Sequence, residues 1–207
     1  MTEQERKAKA AQRERFDFAV IANWIPRGER VLDLGCGDGR LLRYLRETRE
    51  VAGYGVEIDH ENVLRCIRNG VDVIQMDIEC GLSGFEDQSF DHVIISQALQ
   101  TMRSTERILS EMLRVAEEAV VSFPNFAYRT HRIAIAEGHM PVSEDLPYDW
   151  FDTPNVRFFT IIDFEALCSR LGIVIRERLA FDEAGKAVHE DSNLNGSLAF
   201  YRLGREP

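Results

Sequence analysis

Residues 31–39 read Val-Leu-Asp-Leu-Gly-Cys-Gly-Asp-Gly, and this stretch decides how the chain folds. A short apolar run over 30–34 stops at three glycines that stand two residues apart, and an amphipathic segment over 40–46 follows at once. This order is typical of a β-strand, a tight loop and the start of a helix. Glycines in such a loop permit positive φ and a close approach of backbone to ligand. The helix N-terminus adds unpaired N–H groups and a partial positive charge.

The spacing of the glycines indicates which ligand the loop would take. The dinucleotide fingerprint is G-x-G-x-x-G, whereas this chain reads G-x-G-x-G and has Arg40 where the third glycine of that fingerprint would stand. An acidic residue also precedes the first glycine by two positions, which suits an ammonium group better than a pyrophosphate. We therefore predict an amino-acid-bearing nucleoside, with Cys36 present for its small side chain. The predicted contacts of the loop are Asp33, Gly35, Cys36, Gly37 and Gly39.

Length and charge limit the classes of protein that the chain can represent. A chain of 207 residues suits a single domain. A net charge of −10 argues against nucleic acid as a partner. No apolar run approaches the roughly 20 residues needed to cross a bilayer, so no membrane association is predicted. The four cysteines form no C-x-x-C pair and predict no metal site, and free thiols without a signal peptide predict a cytoplasmic protein.

The chain is expected to divide into a charged N-terminal helix or arm over 1–28 and a single domain over 29–207. Within that domain, residues 126–160 form a long insertion rich in prolines and aromatic residues. Long segments inside compact domains are usually lids or binding loops. A packed surface excursion that buries its own aromatic residues is the alternative, and the sequence leaves both open.

Apolar runs and helical periods alternate along the chain and predict an α/β fold. The doubly wound, mostly parallel sheet has seven strands, and the Asn195-Gly196 turn signal predicts an antiparallel last strand. The predicted strands cover 31–34, 53–58, 71–75, 92–96, 119–123, 173–178 and 197–202.

Helix patterns are predicted from periodicity and capping residues. One helical face should carry Val63, Leu64 and Ile67. Ser104 is the expected N-cap of another helix, and Thr160 with Asp163 resembles a capping box.

Polar residues at three further strand ends complete a predicted crevice. Glu57 follows the glycine loop by about 20 residues, the spacing at which a carboxylate reaches ribose hydroxyls. Asp77 is placed to accept from an adenine amine, and a turn or helix-capping acid is its alternative role. Ile58 and Met76 would flank the nucleoside, and Ser96 with the adjacent Gln97 would line its amino-acid side.

These motifs resemble those of the class I S-adenosylmethionine-dependent methyltransferases. The resemblance rests on 31–39, Glu57, Asp77 and 90–97, and extends over about 30–123. A narrower resemblance is to the MetW family of methionine biosynthesis. It rests on Val-Ser-Phe-Pro-Asn-Phe at 121–126 and Leu-Pro-Tyr-Asp-Trp-Phe-Asp-Thr-Pro-Asn at 146–155, together with 53–58, 94–100 and 164–168.

The resemblance implies a class I methyltransferase-like Rossmann fold and S-adenosylmethionine or S-adenosylhomocysteine as the ligand. It also implies association with the MetX homoserine O-acyltransferase, whose activity this chain would support. The alternative is a methyltransferase acting on a small molecule. The Asn-Pro-Pro-aromatic turn of many N-methyltransferases is replaced here by Ser-Gln-Ala-Leu at 96–99, and the possible bases are His131, His139 and Tyr148. The sequence therefore leaves an enzymatic role undecided and no catalytic residue assigned.

Overall fold

The structure is a computed structural model that describes residues 14–206, so most of the predicted charged arm lies outside the described residues. The strands in this part of the chain are β1 Arg30–Leu34, β2 Ala52–Glu57, β3 Val73–Gln75, β4 Phe90–Ser96, β5 Ala116–Pro124, β6 Val174–Phe181 and β7 Leu198–Gly204. They form one sheet in the order β3-β2-β1-β4-β5-β7-β6. Strand β7 runs antiparallel to both β5 and β6, and the other pairs are parallel. The predicted fold class is thereby confirmed.

Helices cover both faces of the sheet. The helices are α1 over 14–22, α2 Arg40–Arg49, α3 His60–Arg68, α4 Thr105–Val115, α5 Arg129–Ala136, α6 Ile161–Arg170 and α7 Ser192–Asn195. Helices α4 and α6 pack with one core cluster, whereas α1 and α2 pack with the other. Trp24 and Ile25, which follow α1, are buried and join the second cluster.

The inner face of α3 differs from the predicted one. Val63 and Cys66 are its buried residues, whereas Ile67 is 60 % exposed. The Cys66 thiol donates to the carbonyl oxygen of Gly37 over 3.1 Å and lies 3.7 Å from the Cys36 sulfur. Packing against the glycine loop therefore determines how α3 is rotated about its axis. Cys66, with its small side chain, takes the buried position that the periodicity predicted for Ile67.

The two predicted helix starts have different outcomes. Ser104 is the N-cap residue of α4, but its side chain makes no capping bond. The carboxylate of Glu79 instead accepts from the amides of Arg103 and Ser104, so a residue distant in sequence supplies the cap. The capping box at the start of α6 is confirmed: the Thr160 hydroxyl and the residue three positions on accept each other's backbone N–H groups.

Residues 126–160 contain α5 and, after it, a long irregular stretch. At its end, Phe159 packs against Phe123 and Phe164 in the core, with ring centroids 4.6 and 6.3 Å away. Trp150 and Phe151, in contrast, are 72 % and 70 % exposed. The segment therefore anchors one aromatic ring in the core and presents others to solvent.

Two negative findings hold for residues 14–206. None of the helices there is both long and apolar enough to cross a membrane. No group of three or more His, Cys, Asp or Glu side chains is arranged there to hold a metal ion.

Candidate functional site

The glycine loop takes the conformation that its spacing predicts. Gly35, Gly37 and Gly39 have φ values of 70°, 55° and 79°, which residues with a Cβ rarely adopt. The amides of Gly35 and Cys36 donate to the carbonyl oxygen of Val56 over 2.8 and 3.1 Å. Since these amides are already used within the protein, the loop is poorly suited to cradle a pyrophosphate.

Asp33, at the end of β1, has the most unusual environment in the site. Its side chain is buried at 2 % exposure, and none of the residues within 14–206 donates a hydrogen bond to its carboxylate. Burial, and secondarily the nearby charge of Glu57, raises the pKa of Asp33 to about 7. A buried carboxylate without a donor is costly, and a ligand carrying an ammonium group would supply the missing partner. The residues present therefore fit such a ligand.

Glu57, at the end of β2, ties the glycine loop to the neighbouring strand. Its Oε2 accepts from the Gly37 amide over 2.9 Å, and its Oε1 accepts from the amides of Ile58 and Asp59 over 2.8 and 2.9 Å. A carboxylate has about four acceptor sites, so these three bonds leave one for an outside donor. The structure thus gives Glu57 a positioning role that the sequence did not reveal, and the ribose contact stays a prediction.

The predicted adenine side lies beside Glu57. The Met76 amide donates to the backbone carbonyl oxygen of Glu57 over 3.0 Å, which joins the carboxyl ends of β2 and β3. Ile58 exposes a large apolar side chain here, and Met76 is half-buried. Asp77 accepts from the Glu79 amide over 2.8 Å and caps a short 3-10 turn, Ile78–Cys80. The capping alternative for Asp77 is therefore observed, while its contact with an adenine amine stays a prediction.

The amino-acid side of the crevice includes a residue that sequence reasoning missed. The hydroxyls of Ser96 and Ser122 lie 3.2 Å apart where β4 and β5 end. The next residue, Gln97, has a φ of 50° and donates from its side-chain amide to the carboxylate of Asp17 over 2.5 Å. Asp17 belongs to α1 and is buried. Its only sequence signal is an acid between two phenylalanines, Phe16 and Phe18.

A second contact holds α1 near the loop. Arg40, the first residue of α2, pairs with Glu14 over 2.5 Å and with Asp38 over 2.8 Å. Helix α1 is therefore bonded both to the start of α2 and to the end of β4, the two elements that border the predicted ligand.

The histidine suggested as a base is part of the fold. His131 is buried, and its ring nitrogens lie 3.2 Å from the Asn125 carbonyl oxygen and 2.9 Å from the Ser143 hydroxyl. Burial lowers its pKa. Because both ring nitrogens are in hydrogen-bond contact within the protein, His131 holds the 126–160 segment in place and is not available to take a proton from a substrate. His139 and Tyr148 lie on the same segment and are exposed.

Sheet order, glycine loop and strand-end acids together define the class I S-adenosylmethionine-dependent methyltransferase fold. A methyltransferase from Thermotoga maritima, described as a possible histamine N-methyltransferase, superposes with a TM-score of 0.71 at 18 % identity and covers 96 % of this chain and 92 % of its own. An S-adenosylmethionine-dependent methyltransferase from Mesorhizobium loti gives a TM-score of 0.69 at 19 % identity, covering 92 % and 98 %. At these identities the likeness concerns the fold alone.

The chain belongs to the methionine biosynthesis protein MetW family, whose sequence model matches residues 15–203. A curated relative, the bifunctional methionine biosynthesis protein MetXA/MetW of Rhodopirellula baltica, is 40 % identical over 203 residues. That match covers 92 % of this chain and 33 % of the relative, so the chain spans about a third of the relative's length. The predicted membership of the MetW family is thereby confirmed.

Proposed function

We propose that the chain binds S-adenosylmethionine or S-adenosylhomocysteine at the carboxyl ends of β1 to β4. The observation that carries this proposal is the buried Asp33 carboxylate, which lacks a donor among the described residues and lies beside a loop whose amides are already used. In this arrangement Asp33 pairs with the ligand's ammonium group and Glu57 accepts from the ribose. Ile58, Met76 and Asp77 hold the adenine, and Ser96 borders the amino-acid side.

The proposed role of the liganded chain is to assist a MetX-type homoserine O-acyltransferase in methionine biosynthesis. The support is the Rhodopirellula baltica relative, whose name gives it both MetXA and MetW functions in one protein. Exposed aromatic residues supply a second argument. Trp150 and Phe151 lie between prolines, which limit the conformational entropy that the segment would lose on docking.

Four free cysteines support a cytoplasmic location for this assembly. Cys36, Cys66 and Cys168 are buried, Cys80 is exposed, and none forms a disulfide. Thiols persist in this state where the compartment is reducing.

The test mixes this chain with its cognate acyltransferase. Homoserine acylation is measured for each protein alone and for the mixture, and a gain on mixing is expected. Replacing Trp150 and Phe151 by alanine should reduce that gain, whereas Ile67→Ala, a change at an apolar residue of α3 that is 60 % exposed, should leave it intact. Equal activity with and without this chain would overturn the role.

The second candidate is a small-molecule methyltransferase, which the same Asp33 site would equally serve. Bound S-adenosylmethionine would supply an already activated methyl group, so the protein would chiefly align the acceptor. The contacts of His131 remove one of the three possible bases from this candidate, because its two ring nitrogens are occupied. Release of S-adenosylhomocysteine in the presence of small-molecule acceptors separates the two candidates, since only methyl transfer produces it.

A further inference from the structure

A groove of about 730 Å³ lies between the first turn of α4, the residues 157–159 and α6. Its residues are distinct from those of the proposed ligand cleft. Phe159, Phe164 and Leu167 line it with apolar surface and belong to or pack against the core. Four guanidinium groups surround this surface: Arg103, Arg107, Arg157 and Arg170.

Three of these arginines form no ion pair with a carboxylate in the part of the chain that the structure describes, although Arg107 interacts electrostatically with Glu79 and Glu111. Arg103 and Arg107 form no ion pair there, and the guanidinium of Arg157 donates only to the backbone carbonyl oxygens of Val156 and Arg103, over 3.2 and 3.0 Å. The side chains of Arg103, Arg107 and Arg157 are all exposed. In a chain of net charge −10, this groove therefore concentrates positive charge.

The acidic residues of the groove are already engaged. Glu106 pairs with Arg170 and so joins α4 to α6. The carboxylate of Asp163 accepts from the amide and hydroxyl of Thr160 over 3.1 and 2.7 Å in the capping box of α6. With two acids against four arginines, the groove has an excess of two positive charges.

The extent of the groove determines which anion can use these charges. Arg157 precedes α6 and Arg170 ends it, and a ten-residue helix is about 15 Å long at 1.5 Å per residue. A single phosphate or carboxylate would occupy only part of a groove of that length. An extended peptide rises about 3.3 Å per residue, so four or five of its residues match the groove. Arginine and aromatic side chains are also the residues enriched in protein interfaces.

We propose that this groove docks an extended acidic segment of the partner acyltransferase. Carboxylates of that segment pair with Arg103, Arg107 and Arg157, and one of its apolar side chains packs on Phe159 and Leu167. The inference rests on the proposed function, because it names the surface through which that partner is bound. The groove adjoins the proline and aromatic segment through Phe158, whose ring is 46 % exposed.

The test reverses charge in the groove of the full chain. Arg103→Glu and Arg107→Glu are combined, and affinity for the purified cognate acyltransferase is measured by calorimetry at low and high salt. The matched control combines Arg65→Glu and Arg68→Glu, which make the same change in net charge at exposed positions on α3. We expect the groove variant to bind at least tenfold more weakly and with a shallower salt dependence, and the control to stay within twofold. Circular dichroism and S-adenosylhomocysteine binding should be unchanged in both variants.

The remaining outcomes distinguish the two proposals. If the unaltered chain binds the acyltransferase and the groove variant binds equally well, the docking surface is wrong and the proposed function stands. If the unaltered chain does not bind the acyltransferase, both are wrong. Inorganic pyrophosphate serves as a small-anion probe. Micromolar pyrophosphate binding that is lost in the groove variant, with partner affinity retained, would assign the groove to a small anion and overturn the inference.

Discussion

Glu57→Gln tests the link between the fold and the ligand cleft. Glu57 accepts three backbone N–H bonds, from Gly37, Ile58 and Asp59. Glutamine keeps one oxygen for the amides of Ile58 and Asp59 but turns an NH₂ group toward the Gly37 amide. Losing a bond to a charged group and leaving a partly buried donor unpaired costs about 1–3 kcal/mol.

A second effect opposes this loss and depends on pH. Burial and the charge of Glu57 raise the pKa of Asp33 to about 7. At pH 5 Asp33 is protonated, so removing the Glu57 charge brings no relief and the full cost appears. At pH 8 Asp33 is ionised, and Glu57→Gln removes the repulsion between the two carboxylates. The loss of stability should therefore be larger at pH 5 than at pH 8.

Urea unfolding at both pH values measures the stability change, and calorimetry with S-adenosylhomocysteine measures the ligand contact. We expect ligand affinity to fall about 10- to 100-fold, which corresponds to about 1–3 kcal/mol. Glu61→Gln, at an exposed position in the first turn of α3, is the control and should change neither quantity. A larger stability loss at pH 8 would refute the coupling of the two carboxylates, and unchanged affinity would refute the ribose contact.

Further predictions concern three other buried positions. Because the folded-state pKa of Asp33 is raised from 3.8 to about 7, stability should fall as pH rises through that window, by up to about 4 kcal/mol at 1.36 kcal/mol per pKa unit, and Asp33→Asn should abolish the fall in urea titrations. Ligand affinity should increase from pH 6 to 7.5 in the unaltered chain and stay flat in that variant. Gly55→Ala places a Cβ 2.4 Å from the Cys36 sulfur, so thermal unfolding should show a loss of about 1–3 kcal/mol that Cys36→Ala partly restores; no restoration would contradict this packing. Asn125→Ala should cost about 3 kcal/mol or more, since its buried side chain accepts from Ala127 and Ile161 and donates to two carbonyl oxygens; a loss below 1 kcal/mol would contradict this.

Most of the strands were predictable because they are short apolar runs bounded by local turn signals. The loop conformation was predictable for the same reason, since three glycines at alternate positions permit the positive φ values that the structure shows. The capping box at Thr160 is likewise a contact between residues three apart. Such features depend on near neighbours in sequence, and near neighbours are what a single sequence displays.

The errors and omissions concern contacts between distant residues. Ile67 fits a helical face by spacing, but Cys66 faces inward because its thiol donates a hydrogen bond to the loop 29 residues earlier. Ser104 has the residue type of a cap, but Glu79 supplies the bonds from 25 residues away. The pairing of Asp17 with Gln97 joins positions 80 apart. None of these three long-range contacts can be predicted from a local sequence pattern.

The sequence by itself determined the sheet, the glycine loop and the acids that follow the strands, because period, spacing and turn chemistry are local. Only the tertiary structure decided which contacts those acids make within the protein itself. It made Glu57 a support of the loop, Asp77 a cap and Asp33 a buried carboxylate without a donor among the described residues. It also gathered arginines from α4, α6 and the segment before α6 around one groove. The physical reason is that desolvation and ion pairing depend on which residues far apart in sequence fold against each other. A pattern of neighbouring residues does not state which distant residues become neighbours in space.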